Sequence, residues 1–306
     1  MAKRSIDLEQ IRQFSNIGLL AKTLVEGFIV GLHRSPFHGF SVEFAEHRPY
    51  NTGESTRHID WKVYAKTDRL YTKRYDEETN LRAYLVLDVS ASMYYPLPHF
   101  DKLTFSVMAA ASLAYLLHKQ RDAFALCTFD QQPVYSSELK STATHLSQQL
   151  EQLQGLLQSE RPPLSKGTAA AAVLHELADK AGKRALFVVF SDMLEQTEQV
   201  DDVFSALQHL RHNRHEVLLF HVLDHRTEAY LDFPDQEQEF IDLESGTRLR
   251  LNPKEVRRQY RQQVQRYLRA LKLRCGQYGI DFIEADVRMP FEQVLKSYLL
   301  KRNKMA

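Results

Sequence analysis

Four short apolar stretches constrain this chain more than any other feature: AYLVLDV (residues 83–89), AFALCTF (123–129), RALFVVFS (184–191) and EVLLFHVL (216–223). Each is nearly uninterrupted and rich in branched or aromatic residues, the pattern of a strand covered on both faces rather than one. Helical patterns separate them: DKLTFSVMAAASLAYLLHKQ, STATHLSQQLEQLQGLLQ, GTAAAAVLHELADKAG and TEQVDDVFSALQHLRHN. Strands that recur after helices cannot be joined by hairpins, so they pair in parallel, and helices lie on both faces of the sheet. The predicted fold class is therefore α/β, with a doubly wound, mainly parallel sheet of Rossmann type. A chain of 306 residues with 43% hydrophobic residues can bury the core this fold needs.

The flanks read differently. IGLLAKTLVEGFIVGLH, with Ile11 and Phe14 before it and Leu20, Leu24 and Phe28 inside it, follows helical spacing. Lys22 and Glu26 interrupt it well short of the roughly 20 apolar residues of a membrane span, so an amphipathic helix docked on the body is expected, with a membrane-surface role as the second reading. Asp7 and Glu9 stand where a secretory signal needs apolar residues. Residues 36–80 are polar and turn-rich, and Phe40, Val42 and Phe44 alternate as in a half-buried strand. The expected organisation is an N-terminal annex over 1–81, a helix plus short strands, followed by an α/β domain over 82–306. Within that domain FIDLESGTRLRL reads as a hairpin around Ser245-Gly246, in an insertion at about 225–252. After it Asn252, Pro253 and Glu255 open a long helix as cap, first position and capping-box acid. IDFIEA and PFEQVLKSYLLKRN supply a last strand and helix. Forty basic and thirty-nine acidic residues leave a net charge of +1, so no overall field draws the chain to nucleic acid or anionic lipid. Cys127 and Cys275 fall in a strand and a helix interior and are read as reduced core thiols of a cytoplasmic protein.

The strand that begins at residue 83 ends in oxygen donors. Asp88 stands at its carboxyl end, and Ser90 and Ser92 follow at alternate positions in the loop to the next helix. Ligands of an open parallel sheet sit beyond the carboxyl ends of the strands, where strand order reverses. Thr168, after the Lys166-Gly167 turn, and Asp192, at the end of FVVFSD, are two further donors that such a crevice collects. Asp88, Ser90, Ser92, Thr168 and Asp192 offer oxygen alone, which suits a hard cation that keeps some water, Mg²⁺ or Mn²⁺ before Zn²⁺. With two carboxylates and three hydroxyls the ion stays short of negative charge and calls for one more anionic oxygen from outside. The plainer reading of DVSAS is a serine-rich turn that caps the following helix.

Asp88-x-Ser90-x-Ser92 followed by Thr168 and Asp192 resembles the metal-ion-dependent adhesion site of von Willebrand factor A domains over about residues 82–224. That resemblance implies that the hydroxyls bind a divalent ion directly or nearly so, the aspartates often through water, and that a partner carboxylate completes the octahedron. Lys166 and Met193 stand where glycine is common in that family, which bears on loop shape. The segment from Glu43 to Met93 resembles the bacterial domain of unknown function 58, a von Willebrand factor A-like family associated with MoxR-type AAA+ ATPases in chaperone-like assembly or cofactor insertion. Some of its members are membrane-anchored at the N-terminus, a segment not found in this sequence. The resemblance implies a non-enzymatic adaptor that binds Mg²⁺ or Mn²⁺ and a carboxylate of a MoxR-type ATPase or its client. The alternative is a metal-dependent hydrolase of phosphate or carboxyl substrates. Against it, no second carboxylate lies two residues after Asp88 and no Gly-rich phosphate loop is present.

Three other groupings carry weaker signals. His209, His212 and His215 recur at intervals of three near a helix end, where the dipole favours them, with a metal site as the second reading. Arg57, His58 and Asp60 read as an ion-paired loop, with Trp61 as an apolar plug against the body, before they read as an acid–base set. The long helix sets Arg257, Arg258, Arg261, Arg266, Arg269, Lys272 and Arg274 opposite Val256, Tyr260, Val264, Leu268 and Leu271, a solvated basic face or a seat for an acidic partner.

Overall fold

A computed structural model describes residues 16–33, 47–49, 61–73, 81–96, 101–130, 133–158, 170–182, 184–193, 197–243, 245–289 and 291–305. In chain order the elements are α1 (Ile17–His33), β1 (His47–Pro49), α2 (Trp61–Thr67), β2 (Tyr71–Lys73), β3 (Arg82–Asp88), α3 (Lys102–Lys119), β4 (Ala123–Phe129) and β5 (Pro133–Ser136). They continue with α4 (Ala143–Gln158), α5 (Ala170–Lys180), β6 (Leu186–Ser191), α6 (Thr197–His212), β7 (Glu216–Leu223), β8 (Gln238–Ile241), β9 (Arg248–Leu251), α7 (Pro253–Gln277), β10 (Asp281–Asp286) and α8 (Phe291–Met305). A 3-10 turn over Ala91–Tyr94 follows β3, and a π turn over His225–Ala229 follows β7.

The four apolar stretches form four neighbouring strands of one six-stranded sheet, in the order β10-β7-β6-β3-β4-β5. All pairs are parallel except the antiparallel edge β4–β5. β3 sits in the middle: the chain builds outward from it to β4 and β5, then returns to its other side for β6, β7 and β10. The order therefore reverses between β3 and β6, and the connections leaving their carboxyl ends diverge to open a crevice there. Asp88 closes β3 and Ser191 closes β6.

Side chains alternate across this sheet as the pleat requires. Val86, Cys127, Phe129, Phe187, Val189, Val217 and Leu219 face α5, α6 and α7, whose Val173, Leu177, Phe204, Leu207 and Leu271 complete one core layer. The intervening Leu85, Leu87, Phe190 and Phe220 are fully buried on the other side, where Phe190 stacks on Phe220 at 4.8 Å. α3 packs against β3, β4 and β7 and is covered in turn by α4 and α8. It is buried almost all round from Lys102 to Leu117, as the helix of a central layer must be. Asp101 caps it by accepting the Thr104 N–H at 2.6 Å.

α1 joins this body through buried Ile17, Leu20, Ala21 and Val25, the amide of Ile17 donating to Gln154 Oε1 at 3.0 Å. The body comprises the chain as far as Phe28 and from Leu81 onward; Ile29–Asn80 form a second unit. In that unit β1 and β2 pair antiparallel, His47 opposite Lys73 and Pro49 opposite Tyr71. α2, where turns and strands were predicted, carries Trp61. Within this unit Trp61 exposes 59% of its surface and meets Tyr64 edge-on at 6.1 Å, one helical turn away. Phe40, Val42, Phe44, Arg57, His58 and Asp60 lie outside the described residues. The hairpin β8–β9 turns at Gly246, whose φ of 72° lies in the left-handed region that glycine enters freely. α7 starts at Pro253 with Asn252 accepting the Lys254 N–H at 3.1 Å.

Candidate metal centre

At the end of β3 the chain is turned by its own aspartate. Asp88 Oδ1 accepts the Ser90 N–H at 2.9 Å, an Asx turn that folds the backbone back over the strand end. The Val89 N–H, donated to the Phe129 carbonyl at 2.8 Å, ties the turn to β4. Ser90 and Ser92 thereby face each other, Oγ to Oγ, at 3.1 Å. From the neighbouring strand, Ser191 donates its hydroxyl to Asp88 Oδ2 at 2.7 Å and accepts the Met193 N–H at 3.1 Å. Asp192 receives the Ser92 hydroxyl. The structure thus brings Asp88, Ser90, Ser92 and Asp192 to one point at the switch between β3 and β6, all at least 92% buried. Thr168 lies outside the described residues.

Met193 adopts φ 49° immediately after Asp192. A left-handed residue there explains why glycine suits the position, since a side chain in that region costs about 1–2 kcal/mol. Here burial of the Met193 side chain and the hydrogen bond from Tyr267 to the Met193 carbonyl, at 2.6 Å, hold the turn.

Two residues absent from the sequence expectations complete the cluster. Lys102, first in α3 and fully buried, directs Nζ to Asp192 Oδ2 at 2.8 Å and to Glu228 Oε1 at 2.6 Å. Burial by itself lowers a lysine pKa, but Asp192 and Glu228 outweigh it and hold the ammonium above the ordinary lysine range. Glu228 is placed by the π turn after β7. Its other oxygen accepts the Asp224 N–H at 2.8 Å, and its carbonyl accepts the Tyr260 hydroxyl at 2.7 Å. α7 grips the same segment: Arg257 donates to the carbonyls of Leu231 and Phe233, and Arg261 to that of Tyr230. Part of the predicted basic face is therefore a clamp on the loop that holds Glu228. Arg274 is likewise engaged, with Asp201 and over the ring of Phe204 at 4.3 Å. Arg258, Arg266, Arg269 and Lys272 remain exposed. A signal for Lys102 does exist in the sequence: a cation in the first turn of an otherwise apolar helix opposes the helix dipole unless an anion meets it. No comparable signal marks Glu228.

The two aspartates differ in electrostatic state. Burial pushes the Asp88 carboxyl up to about 7, and the nearby Asp192 charge adds to it, against the hydrogen bonds from Ser90 and Ser191. Burial opposes ionisation of Asp192 as well, but the Lys102 ammonium offsets it and holds Asp192 below the usual carboxylate range. His221, opposite Ser191 on β7, is pushed down to about 4 by burial and lies neutral beside them. Among the described residues no cation pairs with Asp88, and a buried carboxylate beside a second one favours a positive charge next to it.

The donors fit a hard divalent ion. Neighbouring oxygens of an octahedron with Mg–O near 2.1 Å are about 3.0 Å apart, the separation that Ser90 and Ser92 already have. Asp88 accepts the Ser90 N–H on Oδ1, the Ser191 hydroxyl on Oδ2 and the Ser90 hydroxyl, so its carboxylate is oriented by the same serine that would ligate beside it. Asp192 is held by Lys102 on Oδ2 and receives the Ser92 hydroxyl, which fixes its carboxylate beside the serine pair.

A twisted parallel sheet with one antiparallel edge, wound both ways from β3 and carrying oxygen donors at its switch point, defines an α/β protein of the von Willebrand factor A-like, Rossmann-type class. The chain belongs to the DUF58 family, described as proteins of unknown function, whose model matches residues 46–269, nearly three-quarters of its length. Uncharacterised proteins of Mycobacterium bovis and Mycobacterium tuberculosis are 31% identical to it over 98 residues, 32% of this chain; the match spans 31% of their own length. Among solved structures, BatB from Bacteroides thetaiotaomicron is similar with a TM-score of 0.46 and 13% identity, covering 73% of this chain and 99% of that one. An aerotolerance-related membrane protein from Bacteroides fragilis is similar at 0.44 and 15%, with the same coverage of both chains. Among the described residues no helix is long and apolar enough to cross a membrane.

Proposed function

We propose that this chain is a non-enzymatic adaptor that holds Mg²⁺ or Mn²⁺ through Asp88, Ser90, Ser92, Thr168 and Asp192 and binds a carboxylate of a protein partner there. The observation that carries this reading is the Ser90–Ser92 pair held at an octahedral edge beside the buried carboxyl of Asp88, which no cation meets among the described residues. The bound ion supplies positive charge and an exchangeable coordination position for an external oxygen. Asp88 and Asp192 supply the negative charge, Ser90, Ser92 and Thr168 neutral oxygens, and Ser191 keeps Asp88 oriented. Lys102 cancels one of the two aspartate charges, which keeps the centre electron-poor and receptive to an anion from outside. The partner in this reading is a MoxR-type AAA+ ATPase or its client, as the family resemblance implies.

Calorimetry with Mg²⁺ and Mn²⁺ on wild type and the S90A/S92A variant tests the centre: the variant stays folded and loses ion binding. Unchanged affinity would reduce the serines to turn-forming residues. Capture of the ATPase, with and without EDTA, tests the bridge. Chelation is expected to abolish recovery, and equal recovery in both conditions sinks the metal-bridge mechanism.

A further inference from the structure

His209 belongs to the histidine cluster near the end of α6, but its neighbour in space comes from α5. Nδ1 of His175 and Nδ1 of His209 are 3.0 Å apart, with the rings 5.2 Å apart and inclined at 44°. On the far side of the second ring, His209 Nε2 lies 3.5 Å from Oδ1 of Asp179, one turn beyond His175 on α5. The other two histidines of the cluster take no part. His215 is buried, with Nδ1 accepting the Ala185 N–H at 3.1 Å, and His212 is exposed.

This arrangement has a definite protonation logic. A carboxylate beside Nε2 favours the tautomer with hydrogen on that nitrogen, which leaves the Nδ1 of His209 as a lone pair aimed at His175. His175 Nδ1 then donates the hydrogen of the bond between them, and a bound cation takes the place of that proton, with His175 shifting its hydrogen to Nε2. Two convergent imidazole nitrogens, one ring oriented through its second nitrogen by a carboxylate, are the parts of a carboxylate–histidine–metal arrangement. The spacing agrees. Two nitrogens bound at about 2.0–2.1 Å are about 2.9 Å apart at a right angle and about 3.4 Å apart at the tetrahedral angle. The 3.0 Å observed lies between these limits, so the nitrogens need little translation, and the two half-buried rings need only turn their lone pairs off the line between them toward a shared ion.

We propose that His175 and His209 form a second metal site, a two-imidazole chelate for a divalent transition ion such as Zn²⁺, Ni²⁺ or Cu²⁺, with Asp179 as the residue that orients His209. It differs in chemistry from the strand-end centre, whose oxygen donors prefer Mg²⁺ or Mn²⁺. Among the described residues no group of three or more His, Cys, Asp or Glu is gathered at ligand spacing, so the chelate has two protein ligands and water fills the rest of the shell. The bound ion joins α5 to α6, and α5 follows directly on the segment that carries Thr168.

The test is titration of untagged, chelator-stripped protein with Zn²⁺ and Cu²⁺, in millimolar Mg²⁺ to occupy the strand-end centre. Calorimetry reads Zn²⁺ and the electron paramagnetic resonance spectrum reads the nitrogens bound to Cu²⁺. Wild type and S90A/S92A are each expected to bind one equivalent at micromolar concentration, with two imidazole nitrogens in the copper signal. H175Q and H209Q should each lose that equivalent while keeping the wild-type circular dichroism, and D179N should bind about 10–100-fold more weakly. Absence of micromolar binding in wild type, or retention of it in either histidine variant, overturns the proposal.

Discussion

Replacing Lys102 by methionine probes the energetics of the strand-end cluster most directly. The ammonium is fully buried and lies 2.8 Å from Asp192 and 2.6 Å from Glu228. Methionine roughly preserves the volume of the stem, so the loss is electrostatic rather than a cavity. It leaves Asp192 and Glu228 buried without their cation, and breaking a buried ion pair from one side costs about 3–5 kcal/mol. At about 2–4 °C per kcal/mol for a domain of this size the melting temperature should fall by roughly 6–20 °C. The same substitution removes the charge that neutralises Asp192, so added Mg²⁺ should raise the melting temperature of K102M more than that of wild type. K102M/E228Q should recover part of the loss, because one of the two orphaned carboxylates is gone; the double-mutant cycle measures the coupling. Thermal melts in EDTA and in Mg²⁺ decide the matter. A K102M protein that melts within about 2 °C of wild type in EDTA refutes the claim that the ammonium balances these carboxylates.

Two further outcomes are expected. His215 is buried and accepts the Ala185 N–H on Nδ1, and burial holds its pKa below the ordinary histidine value. The unfolded chain then binds a proton near pH 6.5 that the folded chain does not, so stability falls as pH drops through about 6.5. H215Q, compared with wild type by denaturant unfolding at about pH 7 and about pH 5, should lose less stability on acidification; an identical loss contradicts the assignment. Trp61, with 59% of its surface exposed, should tolerate W61A with a change within about 0.5 kcal/mol. A loss as large as that of a buried aromatic, seen as a clear drop in melting temperature, contradicts that exposure.

Local patterns along the chain determined a large part of the architecture. The four apolar stretches are β3, β4, β6 and β7, the patterns between them are α3 to α6, and Asn252-Pro253 opens α7. Each of these signals acts within a few residues, through strand burial on both faces, helical period or a cap, so a single sequence carries it. The Asx turn that faces Ser90 toward Ser92 is equally local and was legible as alternate spacing. Tertiary structure alone decided the rest. Lys102 and Asp192 are 90 residues apart and Lys102 and Glu228 are 126 apart, and only the strand order β7-β6-β3, with α3 packed beneath it, makes them neighbours. His175 and His209 meet for the same reason, across the packing of α5 on α6. The short α2 and the edge strand β5 have too few residues for periodicity to distinguish, and their conformations depend on what they pack against. Exposure likewise follows from tertiary packing: the apolar character of Trp61 suggested burial, but its side chain remains largely in solvent, whereas Lys102, a cation that water ordinarily holds at the surface, is fully buried because two carboxylates from the segments that follow β6 and β7 converge on it.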